Sequence, residues 1–262
     1  MEIRALSWNL FHGRDFPPDP GLRTWRSRLL RSPERGPAYA HLNRDLLREF
    51  AGILAGAAWD VALLQECPPR WGKRLAAACA ARGHMVLTAR NWMRPLTEGL
   101  ARLSPELVGS WEGGSNLTLV RADIAERRAL TIRRLPERRR VALTCLAGGL
   151  CLANLHASTG PRAAADVLRA AGAAVEWAAG RPLILGGDLN VRPGEGDVYE
   201  RLAGEHGLTG ALPGSIDQLL GRGLEIAQAA RPWPAREREV RYGGLSLRLS
   251  DHAPLSAVFR LR

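Results

Sequence analysis

The order of apolar patterns along this 262-residue chain predicts an α/β fold in which two mixed β-sheets pack face to face, with helices outside. Two observations carry that expectation. Short runs of strand character are spread over the whole length and are broken by helical stretches. The order strand, helix, strand, several strands, helix, strands also occurs as two similar halves. With no internal repeat, low-complexity tract or Ser/Gly linker in the sequence, residues 1–262 are expected to form a single domain.

The first strand is read in MEIRALSWNL, where apolar and polar residues alternate. Residues 11–40 are rich in Pro and Arg and read as a loop interrupted by a short helix around Trp25 to Leu30. Over residues 42–58, Leu42, Leu46, Leu47, Phe50, Ile53 and Leu54 recur at helical spacing, so an amphipathic helix is predicted to lead into the strand WDVALLQE. Another helix is expected after Pro69. MVLTA, SNLTLVR, ALTIRRL, VALTCLA and LCLANLH then read as strands, followed by an alanine-rich helix over residues 163–179. RPLILGGDLN is a buried strand ending in a Gly-Gly turn. A short helix near residues 198–204, a strand at SIDQLL, and two terminal strands, EVRYGG and APLSAVFRL, complete the chain.

Apolar residues make up 46% and charged residues 24%, enough to build a substantial core, so disorder is not expected. No basic stretch followed by an apolar one marks a secretory signal, and no apolar run approaches the roughly 20 residues of a membrane-spanning helix. The chain is therefore expected to be cytoplasmic. Separately, it is expected to act as a monomer, although no sequence feature speaks to oligomeric state. Cys67, Cys79, Cys145 and Cys151 form no CxxC pair and read as buried thiols. Whether Cys145 and Cys151 share a face depends on hairpin register, so a bridge between them is left open. Lys and Arg number 37 against 26 Asp and Glu, a formal charge of +11, and Lys73 is the only lysine. Guanidinium forks match phosphate oxygens, so this excess suits a polyanion such as nucleic acid; an arginine-rich genome produces the same bias.

Five segments place a polar residue directly after, or at the end of, an apolar strand. SWNL offers Asn9, LLQE offers Glu66, LANLH offers Asn154 and His156, LILGGDLN offers Asp188 and Asn190, and LSDHAPL offers Asp251 and His252. A single carboxylate in such a place is more often a turn former or a helix cap than a ligand. The ensemble is different. In order and spacing the five segments, and GDLN and SDH above all, resemble the signature of the DNase I-like endonuclease/exonuclease/phosphatase superfamily over essentially the full chain.

That resemblance implies a DNase I-like, four-layered α/β sandwich and a divalent-metal-dependent phosphoesterase. Glu66 would be the principal metal ligand, assisted by Asn9 and Asp251, and this oxygen donor set suits Mg²⁺ or Mn²⁺. Asp188 would orient and deprotonate the attacking water, and Asn190 would hold a phosphoryl oxygen or the water. Period-two spacing puts these two on one face if the strand persists that far. His252 would contact the phosphate, with Asp217 of SIDQLL fixing its tautomer, and His156 is a second phosphate contact or proton donor. His12, Arg14 and Asp15 follow Asn9 onto the same rim, and Asn116 stands where relatives place a residue near the phosphate. His12, Arg14 and Asn116 are therefore kept as candidate substrate contacts, although Asn116 also suits an ordinary turn into a strand.

Phe11 stands where the abasic-site endonuclease branch has a second acid, and His156 where it has a tyrosine, so that branch is disfavoured. The NLH segment instead resembles branches whose substrates range from DNA to inositol phosphates and sphingomyelin. Substrate choice is expected to lie in the rim loops at residues 11–40, 90–115 and 222–240. Trp8 and Trp59 read as core. Trp25, Trp92, Trp111 and Trp233 lie in loop contexts beside arginines and are read first as solvated or partly packed aromatics, with stacking on bases as the alternative. The charge favours nucleic acid as the substrate, with a small-molecule or lipid-headgroup phosphate as the alternative.

Overall fold

The computed structural model describes residues 1–30, 32–89, 114–134 and 138–261. Its strands are β1 (Glu2–Asn9), β2 (Glu34–Arg35), β3 (Ala40–His41), β4 (Val61–Gln65), β5 (Arg82–Ala89), β6 (Gly114–Val120), β7 (Ile124–Arg133) and β8 (Arg139–Leu146). They continue with β9 (Cys151–His156), β10 (Leu183–Asp188), β11 (Asp217–Arg222), β12 (Leu224–Pro232), β13 (Glu239–Tyr242), β14 (Leu245–Arg248) and β15 (Leu255–Leu261). The helices are α1 (Trp25–Leu30), α2 (Leu47–Gly56), α3 (Gly72–Ala78), α4 (Ala163–Ala178) and α5 (Val198–His206). No helix among the described residues is long and apolar enough to cross a membrane.

Two mixed sheets organise these elements. One runs in the order β12-β15-β1-β4-β6-β5 and the other β11-β10-β9-β8-β7. The pairs β1–β4 and β9–β10 are parallel and the others antiparallel. Strand alternation then assigns every second side chain to one of three apolar layers. Ile3, Ala5, Val61, Leu63, Leu152, Ile184, Leu219 and Phe259 fill the space between the sheets. Leu6, Trp8, Phe50, Leu54, Trp71 and Leu75 join the outer face of the six-stranded sheet to α2 and α3. Leu143, Leu155 and Leu185 meet Val167, Ala170 and Ala174 of α4 on the outer face of the other sheet. Each fully buried Leu or Phe contributes about 1.5–3 kcal/mol. The result is the four-layered sandwich expected from the sequence.

One polar device crosses the middle layer. Asn154 is fully buried. Its Nδ2 donates to the Leu64 and Leu117 carbonyls, each at 3.2 Å, and its Oδ1 accepts from Gln65 Nε2 at 2.9 Å. A side chain of the second sheet is thus bonded to two strands of the first. A buried amide without those partners would cost about 1–3 kcal/mol, so the bonds penalise any sliding of one sheet over the other.

Three local expectations are corrected. The helix expected over residues 42–58 begins only at Leu47, where Asp45 Oδ1 accepts the Leu47 N–H at 2.9 Å; Leu42 and Leu46 enter the core from irregular chain. Within the expected loop 222–240, residues 224–232 form the edge strand β12 against β15. EVRYGG forms a strand as expected, β13, which pairs with β14 in a hairpin apart from the two main sheets. Cys145 and Cys151, read as thiols, lie opposite one another in β8–β9 and are joined in a disulfide, while Cys67 and Cys79 are free and buried. Of the rim loop at residues 90–115, positions 90–113, with Trp92 and Trp111, lie outside the described residues.

Candidate active site

Register brings the chemistry-bearing strand ends to one rim. Asn9 pairs with Gln65 at the parallel ends of β1 and β4, so Glu66 follows immediately at the same edge. Asp188 pairs with His156 on β9 and with Asp217 on β11. Ser7 pairs with Leu255, which sets the SDH turn before β15 beside the end of β1. Alternation points Asn9, His156, Asp188 and Asp217 into the layer between the sheets, where that layer opens to solvent.

Asp188 is almost fully buried, and both its oxygens are engaged. Oδ2 accepts from Asn9 Nδ2 at 3.0 Å and Oδ1 accepts the Asn190 backbone N–H at 3.2 Å. His156 Nε2 lies 3.6 Å and His252 Nε2 3.9 Å from Oδ2. Asn190 reaches this place differently from the expectation of a persisting strand. β10 ends at Asp188, and Asn190 adopts a left-handed backbone (φ 53°), from which its Nδ2 donates to the Ala157 carbonyl at 3.2 Å. Asparagine tolerates that conformation better than most residues. The preceding Gly187 has φ 137°, and a Cβ there would stand 1.8 Å from the Leu155 carbonyl oxygen, so this position accepts only glycine.

His252 Nδ1 is 2.8 Å from Asp217 Oδ2. Burial opposes the charged imidazole, but the hydrogen bond and charge of Asp217, with Asp188 and Asp251 nearby, outweigh it and push the His252 pKa up to about 9. Burial also pushes the Asp217 carboxyl above its ordinary range; its Oδ1 is buried without a hydrogen-bond partner. Between them the two groups present a cationic imidazole beside Asp188. The turn that carries His252 is held by residues to which the sequence drew no attention. Ser250 Oγ donates to the Asn9 carbonyl at 2.6 Å and accepts the His252 N–H at 3.1 Å. Arg238 Nη1 donates to the carbonyls of Leu249, Ser250 and His252 at 3.2, 2.7 and 2.9 Å. Trp8, a core residue as expected, donates Nε1–H to the same His252 carbonyl at 3.1 Å. An arginine within AREREV carries no sequence signal of that role.

Glu66 also has a left-handed backbone (φ 48°), which departs from strand alternation and turns its carboxylate into the opening. His12 Nε2 lies 3.2 Å from Oε2 and His156 Nε2 3.8 Å from Oε1. Burial raises the Glu66 pKa, but His12, His156, Arg14 and His252 together hold it below the usual carboxylate range. Asp251 is pushed the other way, by burial first and also by the charge of Glu66. The Glu66 and Asp251 carboxylates and the Asn9 amide oxygen are oxygen donors of the kind that suits a hard divalent cation, so the residue types present fit such an ion. Asp188, Asp217 and His252 are the group of acids and histidines among the described residues whose ligand atoms all lie within 4.8 Å of one another. A protonated His252 repels a cation, and its Nδ1 is committed to Asp217.

The remaining candidates lie at the margin. Arg14 stacks on Phe11, with its Cζ 3.7 Å from the ring centre, and donates Nε–H to the Phe11 carbonyl at 3.1 Å. Asp15 is not on the rim surface: it is fully buried, with Oδ2 3.0 Å from His41 Nδ1 and accepting the Leu42 N–H. Asn116 is fully buried too; its Nδ2 donates to the Asn154 carbonyl at 3.1 Å, and its Oδ1 has no hydrogen-bond partner. Trp25 is exposed, Trp59 is core, and Trp233 packs against the α2–α3 layer.

A four-layered sandwich with this rim is the architecture of a hydrolase of phosphate esters. The chain belongs to the endonuclease/exonuclease/phosphatase family, whose model matches residues 6–252; members of that family generally depend on a divalent metal. Among solved structures, an endonuclease/exonuclease/phosphatase from Beutenbergia cavernae is similar over 99% of this chain and 72% of its own, at 16% identity and a TM-score of 0.65. Truncated TDP2 of Caenorhabditis elegans aligns over 99% of this chain and 98% of its own, with 17% identity and a TM-score of 0.56. A mannosyl-6-phosphatase of Bacteroides thetaiotaomicron aligns over 98% and 99%, with 14% identity and a TM-score of 0.59. At these identities the likeness is one of fold. No curated protein matches the chain in sequence.

Proposed function

We propose that the chain, acting as one domain, is a divalent-metal-dependent phosphodiesterase that cleaves DNA or RNA by in-line attack of a water molecule activated by Asp188. The observation that carries this reading is the placement of one carboxylate, Asp188, between the Asn9 amide at 3.0 Å and two imidazoles, His156 and His252, at 3.6 and 3.9 Å. Each Asp188 oxygen accepts one hydrogen bond from the protein and keeps a lone pair for water. A carboxylate held at both ends is suited to orient that water and to take its proton. His252, kept cationic by Asp217, faces the place where charge builds on the phosphoryl oxygens, and Asn190 adds an amide donor there. His156 would give a proton to the departing oxygen.

Glu66, Asn9 and Asp251 would hold Mg²⁺ or Mn²⁺, which when bound neutralises charge on the phosphate. A formal charge of +11, almost all of it guanidinium, supports a polyanionic substrate. The test is a panel of single-stranded DNA, duplex DNA, RNA, inositol phosphates, a hexose 6-phosphate and bis-p-nitrophenyl phosphate, each with Mg²⁺ or Mn²⁺ and with EDTA. Metal-dependent cleavage of a nucleic acid is expected. Intact nucleic acid alongside a hydrolysed small phosphate would replace this reading with that of a small-molecule or lipid-headgroup phosphatase.

A further inference from the structure

Three consecutive residues after β1 have left-handed backbones: Phe11 (φ 49°), His12 (φ 53°) and Gly13 (φ 76°). For Phe and His that conformation costs on the order of 1–3 kcal/mol each, and it persists only where the surroundings impose it. Here they do. The Phe11 N–H donates to Asn9 Oδ1 at 3.0 Å, and the Gly13 N–H to the Leu10 carbonyl at 2.8 Å. The Phe11 ring is covered by Arg14, and Gly13 lies so close to the buried Trp71 indole that a Cβ would stand 2.3 Å from it. The Ser250 N–H donates to the Arg14 carbonyl at 3.0 Å and ties this turn to the SDH turn. The strain has one visible product: the largely buried His12 imidazole is aimed at the Glu66 carboxylate, Nε2 to Oε2 at 3.2 Å.

We propose that His12 is a direct ligand of the divalent ion held by Glu66, and that it tunes this chain to bind Mn²⁺ in preference to Mg²⁺. The inference rests on the metal-dependent reading above and adds a nitrogen donor to its oxygen set. Neighbouring ligand atoms of an octahedral ion at bond lengths of about 2.1 Å are separated by about 3 Å. The 3.2 Å between His12 Nε2 and Glu66 Oε2 is that separation, and so one cation can bind both atoms with little movement of either side chain. His156 is less well placed to share the ion, because its Nε2 is 3.8 Å from Oε1 and nearer to Asp188. Magnesium strongly prefers oxygen, whereas an imidazole favours the first-row transition metals. A mixed set of one imidazole, one or two carboxylates and an amide oxygen therefore discriminates between two ions of similar size.

The experiment uses the full chain with Mn²⁺ as the spectroscopic probe and Mg²⁺ as the comparison. Pulsed electron paramagnetic resonance of the Mn²⁺ complex is expected to show nitrogen modulation from a coordinated imidazole, which changes isotope signature when the protein is labelled with [¹⁵N]histidine. The modulation should vanish in His12→Asn, chosen because asparagine accepts a left-handed backbone, and persist in His156→Gln and His252→Gln. Calorimetric titration should show Mn²⁺ affinity falling about tenfold or more in His12→Asn, against less than about threefold for Mg²⁺. Bound Mn²⁺ without histidine nitrogen coupling in the wild type, or coupling that survives His12→Asn, overturns the assignment of His12 and leaves the Glu66 site standing. A wild-type chain that binds neither ion removes the metal-dependent reading itself. Should His12→Asn not fold, modulation retained in both His156→Gln and His252→Gln still leaves His12 as the ligand, and its loss in either of those variants overturns the proposal.

Discussion

Asn9 and Asp188 stand at the ends of strands in different sheets and are joined side chain to side chain, Nδ2 to Oδ2, at 3.0 Å. The two sheets thus meet at the rim through functional groups, and the orientation of Asp188 depends on the packing of the whole sandwich. Replacing Asp188 and replacing Glu66 should then separate turnover from metal binding. Asp188→Asn is expected to lower kcat about a thousandfold with metal affinity little changed. Glu66→Gln should instead raise the metal concentration needed for half-maximal activity, with much of kcat recovered at saturation. Metal titrations of steady-state activity in both variants check the split.

Activity should have a basic limb set by His252. Its pKa is raised from 6.5 to about 9, and in the proposed reaction the protonated form would stabilise phosphate charge. Turnover is therefore expected to hold through neutral pH and to fall about tenfold per pH unit above 9. In Asp217→Asn the fall should move down towards 6.5. The same raised pKa means that the ion pair stabilises the fold fully below about pH 6.5 and loses that contribution as pH climbs through 9, a trend that thermal melts across this range would record.

Gly187→Ala is expected to be far more damaging than its size suggests. The new methyl would meet the Leu155 carbonyl at 1.8 Å on a backbone at φ 137°, in the residue before Asp188. A loss of at least about 3–4 kcal/mol, or insoluble protein, is anticipated. Gly148→Ala, with nothing within 4 Å of its Cβ, is the control and should change stability by under about 1 kcal/mol.

Asp166 is fully buried and receives Arg133 Nε at 2.9 Å and Nη2 at 3.1 Å. Burial raises the Asp166 pKa, but Arg133 and Ser158 hold it below the ordinary range. Arg133→Ala strands that charge and should cost about 3–5 kcal/mol in urea unfolding, whereas Arg133→Met with Asp166→Leu should recover most of it.

Much of this rim is readable because its residues obey one local rule, an apolar strand followed by a polar end; Asn9, His156 and Asp188 all do, whereas Asp217 opens β11 and is singled out only by the family resemblance. What could not be read depends on backbone conformation. Glu66, Asn190 and His12 reach their places through left-handed φ values that no periodicity encodes. Strand β12 was hidden because LEIAQAARP alternates poorly and is rich in alanine, so only its pairing with β15 makes it a strand. Leu42 and Leu46 imitate a helical stripe while packing from irregular chain. The bridge between Cys145 and Cys151 turned on one residue of hairpin register.

That bridge lies at the end of β9 away from His156, so it can form or break without disturbing the residues around Asp188. Disulfides persist in oxidising compartments and are rare where glutathione keeps thiols reduced. The pair can therefore act as a tracer of cellular address: a mass difference of two hydrogens in protein taken from its own cells, alkylated before lysis, would report the surroundings in which the chain matured.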